Sequence, residues 1–171
     1  MPKKVALIIP FQGFRDEEYL EPKAVFETSG IAVTTASTQV GTATGKLGAK
    51  AKVDITLNDL KVADYDAILF IGGPGSYALR DNPIAHKIAQ EAVEQDKILA
   101  AICAAPGILA KAGVLEGKKA TMFAPNNEIL TKHGASYTGN GVEIDGKIIT
   151  ATGPETAKRW AQTIQRQLED Q

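Results

Sequence analysis

The chain has 171 residues, 44% hydrophobic and 23% charged, with a formal net charge of −1. That length suits one domain, residues 1–171, with a sizeable core. The near-neutral charge argues against nucleic acid or an anionic membrane as partner, no apolar run is long enough to span a bilayer, and a lone cysteine cannot close an internal disulfide.

The first strand is expected at Val5-Ala6-Leu7-Ile8-Ile9, directly after Met1-Pro2-Lys3-Lys4, which does not read as a secretory signal. A helix follows over about Glu17 to Ser29, with Asp16 as N-cap, Gly30 as terminator and Pro22 kinking or splitting it. Ile31–Ala36 reads as a second strand. Residues 39–60, rich in Gly, Thr and Lys, read as a small hairpin or irregular excursion. The apolar run Ala67–Ile71 is a buried strand that breaks on Gly72-Gly73-Pro74-Gly75. Asn82-Pro83 caps a helix to Gln95. Lys97–Ile102 is another buried strand, and Cys103 stands between it and a small-residue helix start, Ala104-Ala105-Pro106-Gly107, which Gly113 ends. Lys119–Met122 reads as a short strand and Pro125–Lys132 as a helix. A hairpin turning on Asp145-Gly146 follows, and Pro154 opens a last helix to about Leu168.

Strands alternating with helices imply an α/β fold with a mostly parallel sheet covered on both faces. Sites in such sheets lie at the carboxyl ends of strands. Three loops qualify, after Ile9, Ile71 and Ile102, and all three carry unusual residues.

Free cysteine is often a plain buried core residue. A thiol at a strand-to-helix turn, however, meets converging backbone N–H groups and a helix dipole, which is expected to bring its pKa to 7.5 or below. The turn resembles a nucleophile elbow. The glycine loop is first a tight turn. Its functional reading is a backbone N–H donor that, with Ala104 N–H, holds an oxyanion. Most acidic clusters such as Asp16-Glu17-Glu18 compensate a helix dipole. The alternative is one carboxyl aimed at the sulfur, raised toward its protonated form and titrating with the thiol as a pair. His86 and His133 read as surface residues, and with one cysteine they cannot build a structural zinc site.

Together the loops resemble the ThiJ/PfpI superfamily of DJ-1-like proteins. Ala101-Ile102-Cys103-Ala104-Ala105-Pro106 is similar to its A-I-C-x-x-P nucleophile motif. Glu18, four residues before Pro22, matches its first-loop glutamate. Phe70–Gly75 resembles its glycine loop, and Thr150–Thr156 its closing strand-to-helix segment. The resemblance implies a flavodoxin-like (Rossmann-like) three-layer α/β/α sandwich and a homodimer, while the lone cysteine fits a reducing cytoplasm. It implies Cys103 as an oxidation-prone nucleophile, Glu18 as its hydrogen-bond partner, and Gly73 and Ala104 as N–H donors. Ala104 stands where peptidase-like members carry histidine, and Ala124 precedes Pro125 where the DJ-1 and YajL type often has one. The resemblance at the cysteine motif is to that second type, whereas the chain lacks the longer C-terminal helix of DJ-1.

The expected function is cofactor-free, metal-free action on small reactive carbonyls, of glyoxalase III or deglycase type, with Cys103 and Glu18 catalytic. The alternative is a cysteine-based oxidative-stress sensor or chaperone. A cysteine peptidase ranks below both for want of an imidazole, and so does a flavin or nucleotide binder, because the loop after Ile9 is poor in phosphate-cradling residues. Phe14, Arg15, Tyr77 and Phe123 are the expected pocket walls.

Overall fold

A computed structural model of the chain describes residues 2–171. In order they form β1 (Lys4–Ile8), β2 (Gln12–Phe14), α1 (Asp16–Thr28), β3 (Ala32–Ser37), β4 (Gly41–Gly45), β5 (Lys50–Val53), β6 (Ile55–Thr56), β7 (Ala67–Phe70), α2 (Pro83–Glu94), β8 (Ile98–Ile102), α3 (Pro106–Lys111), β9 (Lys119–Ala120), α4 (Glu128–Lys132), β10 (Ser136–Tyr137), β11 (Val142–Asp145), β12 (Ile148–Ala151) and α5 (Ala157–Glu169).

Seven strands make the central sheet in the order β11-β12-β8-β7-β1-β3-β6. Every pairing in it is parallel except the β11–β12 hairpin. The runs Ala67–Phe70 and Ile98–Ile102 are wholly buried, as parallel strands covered on two sides must be. Their side chains alternate between two cores. Ile68, Phe70, Leu99 and Ala101 pack with Ala85, Ile88 and Ala89 of α2 and Ile108 and Leu109 of α3. Leu69, Ile98, Ala100 and Ile102 pack with Tyr19 and Phe26 of α1 and Trp160 and Ile164 of α5. The result is the α/β/α sandwich expected from the sequence.

Asn82 caps α2 as expected, its Oδ1 accepting from Ile84 N at 2.9 Å and Ala85 N at 3.0 Å. Three local expectations need correction. Helix α1 is not split at Pro22 but continues through it, and the proline side chain is buried, so packing offsets the lost helical hydrogen bond. Asp16 is the first residue of α1 rather than its cap, and its carboxylate is used elsewhere. The β11–β12 turn falls on Gly146-Lys147, because Asp145 pairs with Ile148 across the hairpin and Gly146 takes the left-handed conformation at φ 62°. That one-residue shift keeps Ile148 and Ile149 in the core and leaves Ile144 exposed.

Residues 39–60 resolve into the β4–β5 hairpin, which joins β2 in a separate three-stranded sheet, followed by β6 at the edge of the main sheet. Strand β9 pairs with β10 outside the central sheet.

Candidate active site

Strands β8, β7 and β1 are neighbours at the centre of the sheet, so the loops leaving their carboxyl ends meet. Cys103 follows β8 directly, with φ 62°, a left-handed conformation that costs a non-glycine residue about 1–2 kcal/mol. The surroundings enforce it. Cys103 N donates to Ala151 O at 2.9 Å, and Cys103 O accepts from Phe123 N at 2.8 Å. Ala104 and Ala105 after it are buried and small, as a sharp strand-to-helix turn requires.

The three acidic residues at the start of α1 do three different things. Asp16 Oδ1 and Oδ2 accept from Leu47 N at 2.9 Å and Ala49 N at 2.7 Å, pinning the β4–β5 turn to the helix. A side chain at residue 45 would put its Cβ 2.6 Å from Asp16 Oδ1, so glycine there admits the carboxylate. Glu17 clamps Arg15 through two hydrogen bonds, at 2.9 Å and 3.1 Å. Glu18 points into the protein and is 0% exposed.

Glu18 Oε1 accepts from Gly72 N at 3.1 Å, while the buried Oε2 makes no conventional hydrogen bond. The Cys103 thiol, a weak donor, is hydrogen-bonded to this carboxyl. A Cβ on Gly72 would lie 2.7 Å from Glu18 Oε1 and 2.8 Å from Cys103 Cβ, so the missing side chain is what lets acid and thiol meet. Gly73, at φ 107°, would clash with Arg15 N at 2.4 Å if it bore a side chain. Its N–H and that of Ala104 donate toward the sulfur. The sequence-expected residues Cys103, Glu18, Gly73 and Ala104 therefore converge on one point.

Burial pushes the Glu18 carboxyl up to about 8, opposed in turn by the thiol, Gly72 N–H and Arg15. The acid is thus mostly protonated at neutral pH, in the expected direction. The expectation for the thiol fails. Burial, then the Glu18 charge and hydrogen bond, push Cys103 up to about 12, and the N–H groups of Ala104 and Gly73 only partly oppose this. Helix α3 has six residues and starts at Pro106, so its dipole is short and set back from the sulfur. The resting pair is thiol plus carboxylic acid. The contributions of Glu18 to the thiol's rise exist only while Glu18 is ionised.

A cavity of ≈ 350 Å³ opens over the sulfur, lined by Arg15, Lys46, Gly73, Tyr77, Phe123, Thr152 and Glu155 among others. Arg15, Tyr77 and Phe123 line it as expected. Phe14 does not, being wholly buried with its ring edge-on to Tyr19 at 5.4 Å between centroids. Lys46, Thr152 and Glu155 were not among the expected pocket walls. The 150–156 segment flagged two of them by its resemblance, whereas nothing local marks Lys46. Neither histidine lines the cavity. His86 Nε2 lies 2.5 Å from Arg80 O, and His133 follows α4. Among the described residues no group of three or more His, Cys, Asp or Glu could hold a metal ion, and no helix is long and apolar enough to cross a membrane.

A family model described as the DJ-1/PfpI family matches residues 3–167. The chain belongs to the DJ-1/PfpI family. It is 41% identical to an uncharacterized protein of Methanocaldococcus jannaschii over 97% of this chain and 82% of the relative. It is 31% identical to a deglycase of Pyrococcus horikoshii over 90% and 93%. The crystal structure of a ThiJ/PfpI domain protein from Brachyspira murdochii superposes with a TM-score of 0.97 at 30% identity, covering 100% and 99% of the two chains. The names of DJ-1/PfpI relatives diverge. One from Bacillus subtilis, 33% identical over 91% and 92%, carries a provisional cysteine protease name. One from Caenorhabditis elegans, 27% identical over 98% and 89%, is named a glutathione-independent glyoxalase.

Proposed function

We propose that this DJ-1/PfpI protein converts small 2-oxoaldehydes to 2-hydroxy acids without a cofactor. The observation that carries the reading is the buried Glu18 carboxyl, with one oxygen unfilled, beside a strained thiol in a small cavity. Sγ adds to the aldehyde carbon, and the thiol proton ends on the carbonyl oxygen. Gly73 and Ala104 N–H groups hold that oxygen as charge develops on it. The ionised form of Glu18 then removes the proton from the former aldehyde carbon, and the electron pair moves to the neighbouring carbonyl, giving an enediolate. The carboxylic acid so formed returns the proton to the second carbon, and the hydroxyl proton on the first carbon's oxygen passes to the second oxygen, leaving the thioester of a 2-hydroxy acid, which water hydrolyses to the acid and the free thiol. The reaction is redox-neutral overall.

A base works best with a pKa near the working pH. Glu18, raised to about 8, is a stronger base than an ordinary carboxylate and is still ionised in part at neutral pH. Names of relatives, deglycase and glyoxalase, support carbonyl chemistry. A Cys–His peptidase mechanism lacks its imidazole, because neither histidine lines the cavity.

The test is conversion of methylglyoxal to lactate by metal-free protein. Cys103→Ser and Glu18→Gln are expected to fall to background, and undiminished turnover in either variant overturns the reading. The same donors and the protonated Glu18 also suit a sulfinate on Cys103, which would make the site a peroxide sensor. Mass spectrometry after mild peroxide separates the two uses: a sensor gains two oxygens on Cys103, whereas an enzyme thiol turning over substrate is protected by it.

A further inference from the structure

The cavity above Cys103 carries charge that the proposed reaction does not use. Arg15 and Lys46 are its cations and Glu155 is its carboxylate. Arg15 is committed to Glu17 by two hydrogen bonds. Lys46 is exposed, and among the described residues no carboxylate lies within ion-pair distance of its ammonium. Glu155 accepts from Thr152 Oγ1 at 3.1 Å and keeps its negative charge, but it makes no ion pair with Lys46. Both members of the central pair, Glu18 and Cys103, rest uncharged. Among the described residues Lys46 is thus the cation lining the cavity that no carboxylate pairs.

Lys46 is held there rather than left to wander at a loop tip. Its N–H donates to Phe14 O at 2.8 Å. The turn around it is closed by Gly45 N to Ala49 O at 2.8 Å and Gly48 N to Gly45 O at 3.1 Å. Asp16 grips the next residue and the one two beyond that, through Leu47 N and Ala49 N. The same α1 turn that supplies Glu18 therefore also fixes the backbone that bears Lys46.

We propose that Lys46 forms an anion subsite over Cys103, and that the preferred substrate is a 2-oxoaldehyde bearing a carboxylate on its distal end. The substrate half rests on the reaction proposed above; the charge half does not. The lysine ammonium holds the distal carboxylate in solvent at the mouth, while the aldehyde carbon enters to the sulfur.

The charge half is read by alkylation. Iodoacetate and iodoacetamide are close in size and differ by one negative charge. Each forms an Sγ–C bond as the C–I bond breaks, iodide leaves and the thiol proton goes to buffer. Lys46→Ala is expected to lower the iodoacetate to iodoacetamide rate ratio about fivefold, the factor for one unit-charge interaction across a solvated gap of a few ångströms. Lys46→Glu should lower it further, Lys46→Arg should restore it, and Glu155→Gln should raise it. Added salt should shrink the wild-type ratio toward that of Lys46→Ala. The neutral reagent reports whether each variant keeps its site. A ratio unchanged in Lys46→Ala and Lys46→Glu overturns the subsite, whatever the turnover. The substrate half is read by kcat/KM for 4,5-dioxopentanoate against methylglyoxal, with Lys46→Ala raising KM for the charged compound alone. Equal losses on both compounds overturn the specificity. If the wild type turns over neither while the alkylation ratio responds, the reaction fails and the anion subsite stands.

Discussion

Strand β8 has a non-glycine residue in the left-handed conformation at each end, Asp96 at φ 58° before it and Cys103 at φ 62° after it. The dihedrals are nearly equal; the settings are not. Asp96 sits in an exposed turn, with Lys147 Nζ bonded to both its backbone oxygen and its carboxylate at 2.9 Å. Aspartate is among the residues that tolerate this conformation. Cys103 is mostly buried, lacks such tolerance, and is locked by backbone hydrogen bonds to β12 and Phe123. A left-handed residue alone says little. It becomes informative when the residue type is poorly suited to it and the neighbours are built to hold it.

The comparison can be broken or sharpened by experiment, and the largest effect should come from Glu18, which abuts only the Cys103 end. Its folded pKa of about 8 lies above its ordinary 4.5. The unfolded chain therefore releases this proton first as pH rises, and unfolding releases a proton between those values. The stability tied to this group is complete below pH 4.5 and is lost, at about 1.4 kcal/mol per pH unit, as pH rises toward 8. Urea unfolding of wild type across that window should show this slope and Glu18→Gln should lack it; parallel slopes would remove the buried acid from the account. Next, Gly72→Ala places a Cβ 2.6 Å from Ile102 O at the same end of β8. It should cost about 2–3 kcal/mol by thermal or urea unfolding and slow Cys103 alkylation. Third, Cys103→Gly should be more stable than Cys103→Ala by about 1 kcal/mol, since glycine alone is at ease at that φ. Equal stabilities would mean that no strain is held there. Last, Asp96→Gly should change stability by less than about 0.5 kcal/mol and leave alkylation of Cys103 untouched.

The sequence showed the sheet because buried parallel strands advertise themselves as apolar runs, Ala67–Ile71 and Lys97–Ile102 above all. It showed the helix at Asn82-Pro83 because a cap is a local event. The pair of Cys103 and Glu18 was legible through motif resemblance and through residue types that need a reason to stand at strand ends. What stayed hidden depends on distance along the chain. Asp16 looks like a cap until one sees its oxygens on Leu47 and Ala49, 31 and 33 residues away. Lys46 looks like one more lysine in a polar stretch until that link carries it to the cavity. The direction of the thiol's shift was misread because a helix start is visible in sequence, whereas the depth of burial that outweighs it is a property of the assembled loops.

The β4–β5 hairpin lies outside the central sheet, yet its turn contributes Lys46 to the cavity over the sulfur. The proposed anion subsite is thereby housed in an appendage, apart from the strand-end loops that bring Cys103 and Glu18 together. Exchanging residues 41–53 for a hairpin of another composition, with the Asp16 tether retained, would change the charge at the cavity mouth while leaving Cys103 and Glu18 in place. Diversification of this kind needs no renegotiation of the interior.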